Sequence, residues 1–274
     1  LFEFDEHFEI EIHLKRILSM AASALTKCLR EGSPLIAAVA SCFSPFAFAS
    51  PVVDDLMKAS DRYRGGLAVG VTWSITINSV EDGETTVSKY DVRAKGFNAL
   101  AECVNPPRCK GEVVLFNNRN LWFLKPGVKK PVAISARQRL SGQAANGDIA
   151  STNYARDYEA SFDKEVMMGG TAAYQLNLKA RDKNVTYDKI RYWISKDKKL
   201  ALKAEFLTLS GELFKSAIFE YGNTLVSGGK KIPFVSRMVI VDAAFPANKT
   251  IIKYESPREE SHDDSIFNIN NVAR

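Results

Sequence analysis

The sequence predicts a mainly β chain of the α+β class, with helices few and strands joined antiparallel. Three observations predict it. Segments of period-two alternation recur along most of the chain, closed by Gly, Asn or Asp turn signals, and give about ten strands. Helical spacing of apolar residues stands ahead of them, near residue 51. No internal repeat or low-complexity linker divides the region beyond it. Removing a 49-residue leader from 274 residues leaves 225, enough to bury one full core as a single domain, residues 50–274.

The leader comes first. Lys27 and Arg30 supply a charged n-region, and Pro34 to Phe46 a short apolar run. Ala47-Phe48-Ala49 is the small-x-small pattern of a signal-peptidase site, so cleavage after Ala49 would leave Ser50 first. The apolar run falls short of the roughly 20 residues a bilayer span needs. An acidic opening (Glu3, Asp5, Glu6, Glu9, Glu11) does not suit an n-region. The expected start is therefore Met20, with 1–19 upstream of the true protein and 20–49 the signal peptide. Val39-Ala40-Ser41-Cys42 also has the form of a bacterial lipobox, which makes lipidation at Cys42 the alternative to cleavage after Ala49.

Pro51 to Arg64 is the helix, with Val52, Val53, Leu56, Met57 and Tyr63 near i, i+3/4 spacing and Asp54 and Asp55 near its N-terminus. After Gly65-Gly66 the period changes to two. Trp73, Ile75 and Ile77 share one face, Glu81-Asp82-Gly83 turns, and Val87 to Lys95 returns with Tyr90, Val92 and Ala94 on one face. Glu112–Phe116 and Leu121–Leu124 follow around an Asn-rich turn. Then come Ala173–Lys179, the pair Ile190–Ser195 and Leu200–Leu207, Leu213–Tyr221, Phe234–Asp242 and Thr250–Tyr254. Pro131 to Tyr158 interrupts this meander. It is polar, small-residue rich and long for a loop, and is expected to form short helical turns packed across the sheet.

Without the leader the chain holds 33 basic and 26 acidic residues, a balance of +7 spread along its length. Attraction to anionic partners or headgroups follows; a nucleic-acid partner does not, because no long basic run is present. Only His262 remains of three histidines, so no nucleophilic triad or zinc site can be assembled from the motifs present. No catalytic residue, metal site or cofactor is expected. Cys103 and Cys109 flank a Pro-Pro turn and read as a disulfide in an exported chain.

Several strands carry large apolar residues on both faces: Val113–Phe116, Leu121–Leu124, Ile190–Ile194, Phe206-Leu207 and Met238–Val241. A half-exposed antiparallel sheet should alternate instead. Either both faces are covered, or one lines an apolar cavity.

Asp61–Gly66, Asn120–Pro126, Ser135–Gly142, Asn146–Tyr154, Val185–Asp188, Lys203–Phe206, Ser210–Lys215 and Pro233–Met238, in this order, resemble the outer-membrane lipoprotein-sorting (LolA-like) family, in its larger branch of unassigned cargo. The resemblance implies a half-open, strongly bent antiparallel sheet, an incomplete β-barrel with helices covering its concave face over an apolar cavity. It implies a periplasmic monomer carrying a lipid or lipoprotein acyl chain, with an inner-membrane transporter, exporter or outer-membrane acceptor as partner. A periplasmic sensor or adaptor that binds a membrane protein is the alternative of the same fold. The cavity is expected among Trp73, Ile75, Ile77, Tyr90, Val92, Phe123, Tyr192, Phe206 and Met238. Arg137 to Tyr158 is expected to be the lid, with Arg137, Arg139, Asp148 and Arg237 as candidate latch residues.

Overall fold

Helix α1 (Pro51–Arg62) buries Val53, Leu56 and Met57 and leaves Asp54, Asp55 and Lys58 exposed. Asp54 in its first turn and Arg62 in its last suit the helix dipole. The computed structural model describes residues 51–128, 130–149 and 153–272; the expected leader, with Cys42 and Ala49, lies outside them. Just past α1, Gly65 takes φ +101°, and a Cβ there would stand 2.9 Å from the Trp73 ring. Glycine is required twice over, for the left-handed backbone and for the close approach.

Two meanders follow. β1 (Val71–Glu81), β2 (Glu84–Lys95), β3 (Asn98–Asn105), β4 (Val113–Asn117), β5 (Asn120–Leu124) and β6 (Val132–Ile134) pair in sequence order. Asp82 and Gly83, both at positive φ, make the β1–β2 turn, as a tight hairpin requires. The second meander comprises β9 (Tyr158–Met168), β10 (Thr171–Ala180), β11 (Lys189–Ser195), β12 (Ala201–Leu207), β13 (Leu213–Glu220), β16 (Arg237–Asp242) and β17 (Lys249–Glu259). A side hairpin, β14 (Asn223–Ser227) with β15 (Lys230–Phe234), lies between β13 and β16 in the chain. β1 pairs with β17, which joins the meanders into one 13-stranded antiparallel sheet running from β6 to β9. Those two edges do not pair with each other, so the sheet stays open. Between the meanders runs a strap. It contains the small hairpin β7 (Arg139–Ser141) and β8 (Ala144–Ala145), a 3-10 turn at Asn146–Asp148 and, at its end, the one-turn helix α2 (Tyr154–Asp157).

The inner face carries the main core. Ile77, Ile252, Met238 and Phe219 stand opposite one another across β1, β17, β16 and β13. All four are buried, a cross-strand line that ties the two meanders together. The outer face carries a second, smaller core. Leu100, Leu115 and Leu124 are covered there by Phe267, in a 3-10 turn at Asp264–Phe267, with Ile269 and Val272 of α3 (Ile269–Val272) alongside. His262 fastens this tail, its Nε2 3.0 Å from Thr72 Oγ1, and Asn117 Nδ2 donates to the Phe267 carbonyl. The two-sided apolar strands β4 and β5 are thus explained by covering on both faces.

Five strands outside the strap hairpin departed from the sequence reading, among them β6, which lies at the start of the segment expected to be irregular and pairs with β5 as a sheet edge. β3 is rich in alanine and so lacks a bulky alternating signal. β9 is an edge strand whose residues from Ser161 to Glu165 are all exposed, so nothing forced an apolar phase on it. β14 and β15 stand off the main sheet, and the expected strand from Phe234 is two strands broken at Val235-Ser236. The strap also differs from the expected helical turns: its middle is a hairpin, β7–β8, and helical geometry is confined to single turns.

Candidate functional site

The strap crosses the inner face and is fastened by four sets of contacts. Arg137 donates from Nε to the Val185 carbonyl and pairs with Asp188 at 2.6 Å. Arg139 pairs with Glu81 at 2.6 Å, an exposed contact. Gly142 presses on β1 and β17: a Cβ there would be 2.5 Å from Ser79 Oγ and from Thr250 Oγ1. Beside it, the Gln143 amide donates to Thr250 Oγ1 at 2.8 Å. The fourth set is buried. Asp148 accepts the Ala145 amide at 2.9 Å and lies 2.7 Å from the Tyr187 hydroxyl, which donates to it. Lys215 of β13 donates to the Gln143 carbonyl at 2.8 Å and stands 3.8 Å from Asp148. Burial pushes the Lys215 ammonium below its ordinary range, with Asp148 acting against that shift. Its charge also sits over the Tyr187 ring, at 4.7 Å.

Under the strap's outer edge lies a cleft of about 550 Å³. Val87, Tyr90, Val114, Phe123, Ile134 and Leu140 give it an apolar wall. Glu81, Ser88, Arg108, Glu112, Gln138 and Arg139 give it a polar one. A cleft of this size has the dimensions of a small-ligand site. The 3-10 turn Pro107–Cys109 forms part of its rim, and the Cys103–Cys109 disulfide, Cα atoms 5.8 Å apart, ties that turn to β3. Among the described residues no group of three or more His, Cys, Asp or Glu is placed to hold a metal ion. Among them, too, no helix is long and apolar enough to cross a membrane.

The nine residues expected to line a cavity do share the inner face: eight are in the main core, with Phe123 packed against it. Only Tyr90 and Phe123 of them line the cleft. Trp73, Ile75, Ile77, Val92, Tyr192, Phe206 and Met238 are almost wholly buried in packed core. Of the expected latch residues, Arg137, Arg139 and Asp148 fasten the strap. Arg237 instead pairs with Glu220 on the neighbouring strand, at 2.6 Å.

A family model whose description reads "uncharacterized protein" matches residues 97–274, more than half of the chain. The chain is similar to the solved LolA superfamily protein from Nitrosomonas europaea, at 27% identity and a TM-score of 0.70, over 79% of this chain and 97% of that one. The chain belongs to the LolA-like family. Two further structures share the fold. One is a putative outer membrane lipoprotein-sorting protein domain from Vibrio parahaemolyticus (18% identity, TM-score 0.68, covering 81% of this chain and 98% of that one). The other is a DUF1329 family protein from Desulfovibrio piger (17% identity, TM-score 0.67, covering 81% and 98%). No curated protein matches the chain.

This LolA-like chain also buries a charged centre that sequence reasoning did not assign. Arg64, just beyond α1, places its guanidinium 4.2 Å from the Phe219 ring and 5.1 Å from the Tyr154 ring, and donates to the Tyr192 hydroxyl at 3.1 Å. Asp61 accepts the Ala155 amide of α2 at 2.8 Å. Burial raises the Asp61 carboxyl to about 7, with that amide and Arg64 acting in the other direction. The readable signal was phase. Lys215 falls on the inward phase of β13 with Ala217 and Phe219, and Asp61 and Arg64 lie on the buried side of the chain at the end of α1.

Proposed function

We propose that this LolA-like protein is a periplasmic carrier that holds an acyl chain of a lipid or lipoprotein in the cleft beside the strap. It would pass that chain toward the outer membrane or an exporter, with no chemical step. The observation that carries this reading is the pairing of a half-apolar cleft with a roof made of reversible fastenings. Leu140 and Arg139 of the strap line the cleft, and the nearest fastening, Arg139 to Glu81, is an exposed ion pair. Such pairs contribute about 0–1 kcal/mol, weak enough to break on loading and release. Covering an acyl chain is worth about 0.8 kcal/mol per CH₂, so even a short buried stretch outweighs that fastening.

Export belongs to the same proposal, with a mature chain beginning at Ser50. Intact mass of protein recovered from a Gram-negative periplasm tests it; a lipid-modified Cys42 start would make the protein an anchored acceptor. Native mass spectrometry of protein purified without detergent tests the carrier itself, and a co-purifying lipid is expected. Phe123→Asp, on the cleft wall, should lose that lipid while keeping the fold. A stable complex with one protein partner and no lipid would instead favour the sensor or adaptor. Charged substitutions at Phe206 or Met238 do not serve here, because both side chains are packed in the core.

A further inference from the structure

The cleft is chemically lopsided. Its apolar wall runs along β4, β5 and the strap, through Val114, Phe123 and Leu140. Its polar groups include two carboxylates, and both have cations: Glu81 pairs with Arg139 at 2.6 Å and Glu112 with Lys125 at 2.9 Å. Arg108 is different. It lines the cleft and is exposed, and among the described residues it has no hydrogen bond or ion pair. Nor is its backbone loose. The 3-10 turn that carries it is tied to β3 by the disulfide, and the Gly111 amide closes the loop onto the Cys103 carbonyl at 2.8 Å.

A second polar group lies at the same end. Ser88 of β2 lines the cleft and buries its Oγ, with no partner in hydrogen-bond geometry among the described residues, although the Tyr90 hydroxyl lies close enough to interact with it. Both groups line the cleft, and β2 Lys89 stands opposite Asn105, where β3 runs into the turn holding Arg108. A buried hydroxyl without a partner is costly, and a fixed cation without a counter-ion is a ready anion site.

We propose that the cleft selects an amphiphile with a carboxylate head, its head held by Arg108 and the Ser88 hydroxyl and its single chain laid along Val114, Phe123, Ile134 and Leu140. This rests on the carrier reading above. A carboxylate is favoured over a phosphate because one free cation balances one charge, while the other cleft cation, Arg139, is already matched by Glu81. A charge-assisted hydrogen bond at a partly desolvated site should discriminate by about tenfold.

Calorimetric titration of delipidated protein with dodecanoate, methyl dodecanoate and dodecyl phosphate tests this. Dodecanoate should bind about tenfold more tightly than its ester, and Arg108→Gln should bring it down to the ester's level. Ser88→Ala should lower dodecanoate affinity severalfold. Equal affinity for acid and ester, or a preference that survives Arg108→Gln, would overturn the proposal. So would a tighter fit for the phosphate. If acid and ester bind equally but Phe123→Asp abolishes both, the carrier reading stands and the head-group inference falls. If neither probe binds, or Phe123→Asp changes nothing, the cleft is not the lipid site and both readings fall together.

Discussion

Gly142→Ala is the sharpest perturbation of the strap. Gly142 holds φ +52°, a left-handed backbone that costs an ordinary residue about 1–2 kcal/mol. Its new Cβ would stand 2.5 Å from Ser79 Cβ, Ser79 Oγ and Thr250 Oγ1, so strap and sheet must separate. Separation breaks the Gln143 amide bond to Thr250 and the 3.3 Å contact of Ser141 with Ser79, each worth about 1 kcal/mol. The closed strap should therefore lose about 3 kcal/mol in all. Because the strain sits in the closed state, opening of the strap becomes easier by that amount. Amide exchange in residues 138–148 should accelerate by about two orders of magnitude, at roughly 1.4 kcal/mol per decade. Lipid affinity should fall as well, because Leu140 leaves the cleft wall. No acceleration anywhere would refute the strain argument itself.

The geometry sets three further outcomes. Burial raises the Asp61 carboxyl, so its contribution to stability is complete below pH 3.8 and is lost as pH climbs through about 7. Asp61→Asn keeps an acceptor for Ala155 and should remove that slope, worth up to about 4 kcal/mol, from denaturant midpoints measured between pH 4 and pH 8; an unchanged slope would sink the assignment. Cys103→Ser releases a short loop and should lower stability by about 2 kcal/mol in thermal melts, and free thiols in the native protein would contradict the bond. Phe267→Ala should destabilise by about 3–5 kcal/mol and expose the tail from residue 260 to limited proteolysis, whereas a protected tail would mean that its hydrogen bonds suffice.

Alternation made β1, β2 and β10 to β13 legible, because each buries one face against a large core. The strands that escaped notice had no such constraint. In β9, Phe162 is half exposed beside Asp163, Lys164 and Glu165, so the apolar phase fades where the core ends. The doubled apolar faces of β4 and β5 were visible, but not that residues 260–272 would cover one of them, since that tail shows only Ile266, Phe267, Ile269 and Val272 among polar neighbours. For the site, the inner face was legible and the vacant part of it was not. Trp73 and Phe206 have the same composition signal as Phe123; what separates them is how much chain lies above each, and that depends on where the strap lands. Arg137, Arg139 and Asp148 stood out because they are polar residues in an irregular segment. Of the partners of Asp148, Lys215 could have been found from its inward phase on β13, whereas Tyr187 lies in ordinary-looking loop sequence.

The β1–β17 pairing has a consequence for the order of events in folding. Each meander is made of neighbours in sequence and can zip locally, but the bond between them uses the first strand of the domain and the last. Loop-closure entropy opposes that contact until late. Until Lys249–Glu259 is in place, β1 and β16 face each other across a missing strand, and Ile77 and Met238 have no Ile252 between them. Ser79 and Thr250, on which Gly142 rests, face each other across that junction, so the strap has no complete seat before β17 arrives. A chain emerging from its N-terminus therefore cannot finish this sheet, or seat the strap, until Lys249–Glu259 has been made.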